Sequence, residues 1–322
     1  LYGMAVTTDT IASLVAEPNP ASKMIDEWVQ NESAPANFSA TFVPTSYQWA
    51  GWDAPVAVQD TEMMLWEKEE EQPEGHMYFN GDSKVEHVAA DPSGKPRYFA
   101  NLTNKGGLMS IDFGAFDFDG ETLPASLSAD VGRAVGSWDG ALTLNIGEEG
   151  KTVDGDASIH MEKGKAQMIA PDGLYWVKAA DKEVLIVDED SGNDFGERKY
   201  TLTIDGDMNV EEGHLLAIAG GKYSARYQQG VSALGGAFTK AGTTEFSGSW
   251  PVTALVARKA DGSFYTKEEL EGTARPNIRE TIDLAGQTFV GVVQARPESS
   301  GAVEANGGDA GGQLLMFTVD LD

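Results

Sequence analysis

The feature that most constrains the fold is a long series of short segments in which apolar and polar residues alternate. From residue 54 to the last residue, about 15 such segments follow one another, each typical of a half-buried β-strand. Asn-Gly or Asp-Gly pairs, which favour tight turns, recur between the segments. They lie at residues 80–81, 119–120, 139–140, 154–155, 172–173, 205–206 and 261–262. Many short strands with regular turns predict an antiparallel, all-β fold.

The number of strands favours a β-propeller-like arrangement, because four-stranded blades accommodate more strands than one sandwich does easily. The alternative is a large β-sandwich. A single short N-terminal helix is predicted from Pro20 to about Asn31, where Met24, Ile25, Trp28 and Val29 form an apolar stripe. A further short helix is predicted at 266–270. The sequence shows no boundary between domains, so we expect a single domain over 1–322.

The composition limits the classes of partner. The chain of 322 residues has a net charge of -28 and a pI of about 4.3, which argues against binding to nucleic acid or to anionic lipid. The same charge favours cations as ligands. There is no cysteine, so neither thiolate chemistry nor a Cys-ligated metal is available. No apolar run is long enough for a transmembrane helix. The first residue is Leu1, and we expect an exported or organelle-lumen protein (extracellular, periplasmic or plastid) after removal of a targeting segment.

The connection between two predicted strands, 183–189 and 199–205, is unusually acidic. Carboxylate and amide oxygens are the ligands that Ca²⁺ prefers, and Gly192 and Gly196 would let the backbone fold back around an ion. The sequence therefore predicts a calcium site in this loop, although a solvated polar turn explains the same residues. The predicted metal ligands are Asp188, Glu189, Asp190, Asn193, Asp194 and Glu197.

Two arginines are candidates for an anion-binding or catalytic role. Arg198 directly follows the acidic loop, where it would clamp a metal-bound phosphate, and Arg226 lies in a basic, aromatic segment at 220–238. The alternatives are structural: Arg198 in an ion pair with a neighbouring acid, and the 220–238 segment packed as a long connection. Metalloprotease, α/β-hydrolase and dinucleotide-binding motifs are all missing from the sequence.

The segment KAQMIAPDGLYWVKAADKEVLIVDEDSG (165–192) resembles the PhoX-like alkaline phosphatase family. The resemblance extends over about 137–205 and consists of a Pro-Asp-Gly turn, two apolar strands and a Glu-Asp pair. It implies an exported, calcium-dependent propeller that hydrolyses phosphate esters, with Glu189 and Asp190 among the metal ligands. That family also uses a cysteine to bind an iron pair, and this chain has none. The resemblance supports the fold more than the activity.

Two classes of function follow from these patterns. The first is an acidic, calcium-binding β-propeller that acts as a structural or accessory subunit and binds a partner protein. The second is a metal-dependent phosphoester hydrolase of the PhoX-like type, acting on a phosphorylated small molecule, in which Ca²⁺ polarises the phosphoryl group and Arg198 or Arg226 stabilises developing charge. The lack of cysteine and the small number of histidines favour the first.

Overall fold

A computed structural model describes two compact units of the chain, one formed by 1–142 with 167–170 and the other by 143–166 with 171–322. The residues it describes are 2–15, 24–44, 76–78, 85–103, 106–115, 126–136, 144–145, 161–162, 165–166, 168, 170–178, 182–190, 197–219, 244–252, 261, 263, 286–295 and 311–320.

Two short helices lie near the N-terminus, α1 (Thr8–Leu14) and α2 (Met24–Gln30). The Thr7 hydroxyl caps α1 by accepting a hydrogen bond of 3.2 Å from the backbone N–H of Thr10. The apolar stripe predicted for α2 is confirmed, because its four residues are all buried. The sequence prediction included only one N-terminal helix and therefore missed α1.

In the first unit, seven strands form one antiparallel sheet in the order β3-β1-β2-β7-β6-β5-β4. The strands are β1 (Tyr2–Thr7), β2 (Asn37–Pro44), β3 (His76–Tyr78), β4 (Val88–Ala90), β5 (Arg97–Leu102), β6 (Gly107–Asp112) and β7 (Leu127–Val135). Both helices contribute to the same apolar core as this sheet. The guanidinium of Arg133 donates hydrogen bonds to the carbonyls of Trp28, Asn31 and Ala34, so it holds the end of α2 against β7.

In the second unit, a five-stranded sheet has the order β11-β12-β13-β14-β8, and a three-stranded sheet has the order β15-β16-β17. A two-stranded ribbon, β9-β10, accompanies them. The strands are β8 (Leu144–Asn145), β9 (Met161–Glu162), β10 (Lys165–Ala166), β11 (Pro171–Lys178), β12 (Glu183–Glu189), β13 (Glu197–Ile204), β14 (Val210–Ala219), β15 (Thr244–Pro251), β16 (Gly286–Ala295) and β17 (Gly311–Asp320). The three-stranded sheet packs on the five-stranded one, with Phe289 and Val319 buried against Val177, Val184 and Ile186.

The prediction of a mostly antiparallel β fold is confirmed: every pair of neighbouring strands in the described residues is antiparallel except β14 with β8. No closed barrel or propeller is formed by the described strands, so the propeller arrangement stays a prediction, as does the single domain. In the part of the chain that the structure covers, no helix has the length and apolarity needed to cross a membrane. The predicted helix at 266–270 and the first of the predicted strand segments, which begin at residue 54, lie outside the described residues.

Candidate functional site

The residues predicted for the metal loop begin at the end of β12 and finish at the start of β13. These two strands pair antiparallel, with Asp188 directly opposite Lys199. Because side chains alternate along a strand, Asp188 and Lys199 point to one face of the sheet and Glu189 and Arg198 to the other. The register thus places two acids beside two bases, one pair on each face.

The Glu189–Arg198 pair is completely buried. Arg198 donates from Nε to one carboxylate oxygen of Glu189 and from Nη2 to the other, the second at 2.6 Å, which makes the contact bidentate. Burial is the largest single influence and lowers the pKa of Arg198, but the charge and hydrogen bonds of Glu189, with smaller contributions from Tyr200 and Glu197, together raise the pKa above its ordinary value. Arg198 is therefore a charged group that is held inside the protein by its own partner.

Tyr200 lies two residues beyond Arg198 on the same face of β13 and is also fully buried. Burial raises the pKa of its phenol well above the ordinary value, and the nearby carboxylate of Glu189 raises it further. The phenol is consequently neutral at physiological pH.

The Asp188–Lys199 pair lies between the two sheets of the second unit. Besides Asp188, the ammonium of Lys199 contacts the Ser249 hydroxyl at 2.8 Å and the Gly248 carbonyl at 3.3 Å. The rings of Phe246 and Phe317 lie 5.4 Å and 5.0 Å from the same nitrogen. Burial lowers the pKa of Lys199, although Asp188 opposes this shift. Lys199 thus links the five-stranded sheet to β15.

These contacts restrict the predicted roles. The carboxylates of Asp188 and Glu189 are already bound by basic side chains, and Glu197 is buried at the start of β13, whereas Asp190 is partly exposed. Nowhere in the described ranges do three His, Cys, Asp or Glu side chains group as metal ligands would. Asn193 and Asp194, like Arg226, lie outside those ranges, so the calcium site stays a prediction.

A second feature, which the sequence analysis missed, is a β-bulge in β15. Ser247 lies opposite Val292, but Trp250 lies opposite Val290, so β15 has one residue more than β16 between these points. Gly248 lies in this bulge and has a φ of +70°, a left-handed conformation that favours glycine. The extra residue reverses the alternation, so Ser249 points inward to Lys199 and Trp250 points outward.

The outward side of this sheet, called here the outer face, is apolar. It carries Trp250, Val290, Val292, Leu314 and Met316 on three adjacent strands. Trp250 is 67% exposed, Met316 is 64% exposed and Leu314 is 77% exposed. The three strands contain only two charged residues, Glu245 and Asp320, in a chain of which 23% is charged. Contiguous exposed apolar side chains of this kind mark surfaces that bind other molecules.

Comparison with protein-family models, with curated proteins and with solved structures found no match to this chain. The class of protein is therefore described by its architecture alone: a mostly antiparallel β protein with an apolar outer face on the sheet β15-β16-β17.

Proposed function

We propose that this chain is a non-catalytic structural or accessory protein that binds a partner protein through the outer face. The observation that carries the proposal is the exposure of Trp250, Leu314 and Met316 side by side on one sheet. Aromatic residues and methionine are enriched where proteins meet their partners, and they are seldom grouped on a surface that faces only water.

The bulge supports this proposal because it determines which way Trp250 points. With regular alternation from Phe246, which is buried, residue 250 would point into the space between the two sheets. The extra residue at Gly248 and Ser249 turns the indole outward instead. Bulges commonly redirect a side chain at a functional surface. The bulge in the backbone is therefore the cause of the exposure of Trp250.

The alternative function, a PhoX-like calcium-dependent phosphoesterase with a propeller fold, has less support from the described residues. A group that stabilises charge on a substrate must reach it, but Arg198 is fully buried and donates from both Nε and Nη2 to Glu189. The proposed accessory function includes a calcium ion in the 188–197 loop and a location outside the cytosol. The acidity of the chain suits a cation-rich compartment, where screening weakens the repulsion between its own negative charges.

A photo-crosslinking side chain placed at position 316 tests the proposal. In an extract of the source cells, we expect one discrete crosslinked product whose second chain is joined to the outer face. Trp250→Ser in the same background should remove that product. A matched control carries the crosslinker at Val88, which is 57% exposed on β4 of the seven-stranded sheet. Equal products from both positions, or none from 316, would contradict the docking role.

A further inference from the structure

The edge of the same sheet offers a second contact, separate from the outer face. In the described residues, β17 pairs only with β16, and it does so in unbroken register over ten residues from Gly311 to Asp320. The strand contains no proline and no lysine, and its only charge is at Asp320. Proteins normally protect an edge strand with such residues or with a bulge, because an unprotected edge accepts another strand.

We infer that β17 pairs antiparallel with β17 of a second copy of this chain, so that the two three-stranded sheets become one six-stranded sheet. This inference goes beyond the proposed function, because the contact uses the edge of the sheet and leaves the outer face open to another partner. Identical strands related by a two-fold axis necessarily run antiparallel, which continues the antiparallel order of β15, β16 and β17. With the axis at Leu315, Leu314 of each copy lies opposite Met316 of the other, and the two outer faces become continuous.

The distribution of charge favours a second copy at this place. Two chains that each carry a net charge of -28 repel one another wherever their acidic surfaces face each other. From Gly311 to Val319 the edge strand is neutral, so two copies meet there without placing acid against acid. The repulsion between exposed charges of the two copies that lie more than about 8 Å apart is largely screened at physiological ionic strength. Self-association through β17 should therefore become stronger as salt is raised.

Sedimentation velocity of the purified full chain over a dilution series tests this dimer. We expect a species of twice the chain mass that dissociates on dilution. Leu314→Lys should weaken it about a hundredfold, because it places two like charges close to the axis in a contact that has no acid to pair with them. Leu314 is exposed, so the substitution leaves the core intact. Val88→Lys, at an exposed position of β4, should leave the dimer unchanged.

The lack of native cysteine allows a direct check of the geometry. Single cysteines introduced in turn from residue 312 to residue 318 should form an intermolecular disulfide most rapidly at the position on the axis, because opposed Cβ atoms in an antiparallel pair lie about 4.5–5.5 Å apart. A chain that stays monomeric throughout the series would overturn the dimer. So would a dimer unaffected by Leu314→Lys. If the monomeric chain still crosslinks from position 316 to a different protein, the docking role stands and only the second copy is wrong.

Discussion

Glu189→Gln is the substitution that most severely tests the account of the buried ion pairs. Glutamine has nearly the shape of glutamate but no charge, so the change leaves the guanidinium of Arg198 inside the protein without its principal counter-charge. The side chains of both residues have 0% exposure, so neither group is in contact with solvent. The perturbation is therefore electrostatic and not one of packing.

The magnitude follows from burial. Removing one partner of a buried ion pair costs about 3–5 kcal/mol, because an uncompensated charge remains. Glu197 also raises the pKa of Arg198, although it is the weakest of the contributors, so we expect a loss near the lower end, about 3 kcal/mol. At roughly 2–4 °C per kcal/mol for a unit of this size, the melting temperature should fall by about 6–12 °C.

Two controls separate the buried charge from other effects. Lys178 and Glu183 form an ion pair on neighbouring strands of the same sheet at 3.2 Å, but Lys178 is 45% exposed. Lys178→Gln should cost no more than about 1 kcal/mol. The double variant Glu189→Leu with Arg198→Met replaces the pair by apolar groups and should be close to the wild type in stability, since no unpaired charge is left.

Urea denaturation at neutral pH, followed by intrinsic fluorescence, measures all three variants. The reasoning is refuted if Glu189→Gln lies within about 1 kcal/mol of the wild type, or if the double variant is as unstable as the single one. The first result would mean that Arg198 is solvated or held by other acids. The second would mean that the pair matters through its shape.

Three further predictions concern neighbouring positions. The wild type should lose stability above about pH 10, because the phenol of Tyr200 ionises in the unfolded chain at a lower pH than in the folded chain. Tyr200→Phe should abolish this loss, which is measured from urea midpoints between about pH 8 and about pH 11. The same pH dependence of the midpoint in both proteins would refute the prediction. Gly248→Ala should cost about 1–2 kcal/mol through its left-handed φ alone, whereas Gly291→Ala should cost more, because its Cβ would lie 2.7 Å from the Gly248 carbonyl oxygen. Calcium should raise the melting temperature, and Asp194→Asn should reduce that effect; an unchanged melting curve in chelator would exclude the calcium loop.

Much of the sheet structure was predictable where hydrophobic periodicity is regular. The predicted strands 183–189 and 199–205 agree with β12 (Glu183–Glu189) and, within two residues, with β13 (Glu197–Ile204), because the first is a short apolar run and the second alternates. An irregular strand was missed. The bulge at Gly248 shifts the period within β15 (Thr244–Pro251), so regular alternation does not reveal this strand in the sequence.

One predicted turn was wrong for a related reason. Asp172-Gly173 was interpreted as a turn between strands, but both residues lie inside β11 at a bulge between Pro171 and Leu174. A Cβ at position 173 would lie 2.6 Å from a carboxylate oxygen of Asp188, so glycine is present there for close packing. A turn dipeptide alone does not distinguish these two uses of glycine.

The candidate site was only partly predictable, because strand register decides which charges meet. An ion pair between Arg198 and a neighbouring acid was one of the two sequence alternatives, and the structure shows it with Glu189. The pair of Asp188 with Lys199 was not predicted, and the cation role of both acids stays a prediction. The signal was present: acids that end one strand are mirrored by bases that begin the next, which in an antiparallel pair places them opposite each other. The outer face gave a weaker signal, because the direction of Trp250 depends on a bulge that only the structure shows.

Oxidative footprinting of Trp250 and Met316 tests the docking surface most directly, because tryptophan and methionine label readily and both are exposed in the isolated chain. Trp28 and Met109, which are buried, serve as internal references. In the assembly isolated from its source, we expect labelling at Trp250 and Met316 to fall to the level of these references, and to recover when the purified chain is diluted. Equal labelling of Trp250 and Met316 in the assembled and the diluted protein would contradict the claim that the outer face binds a partner.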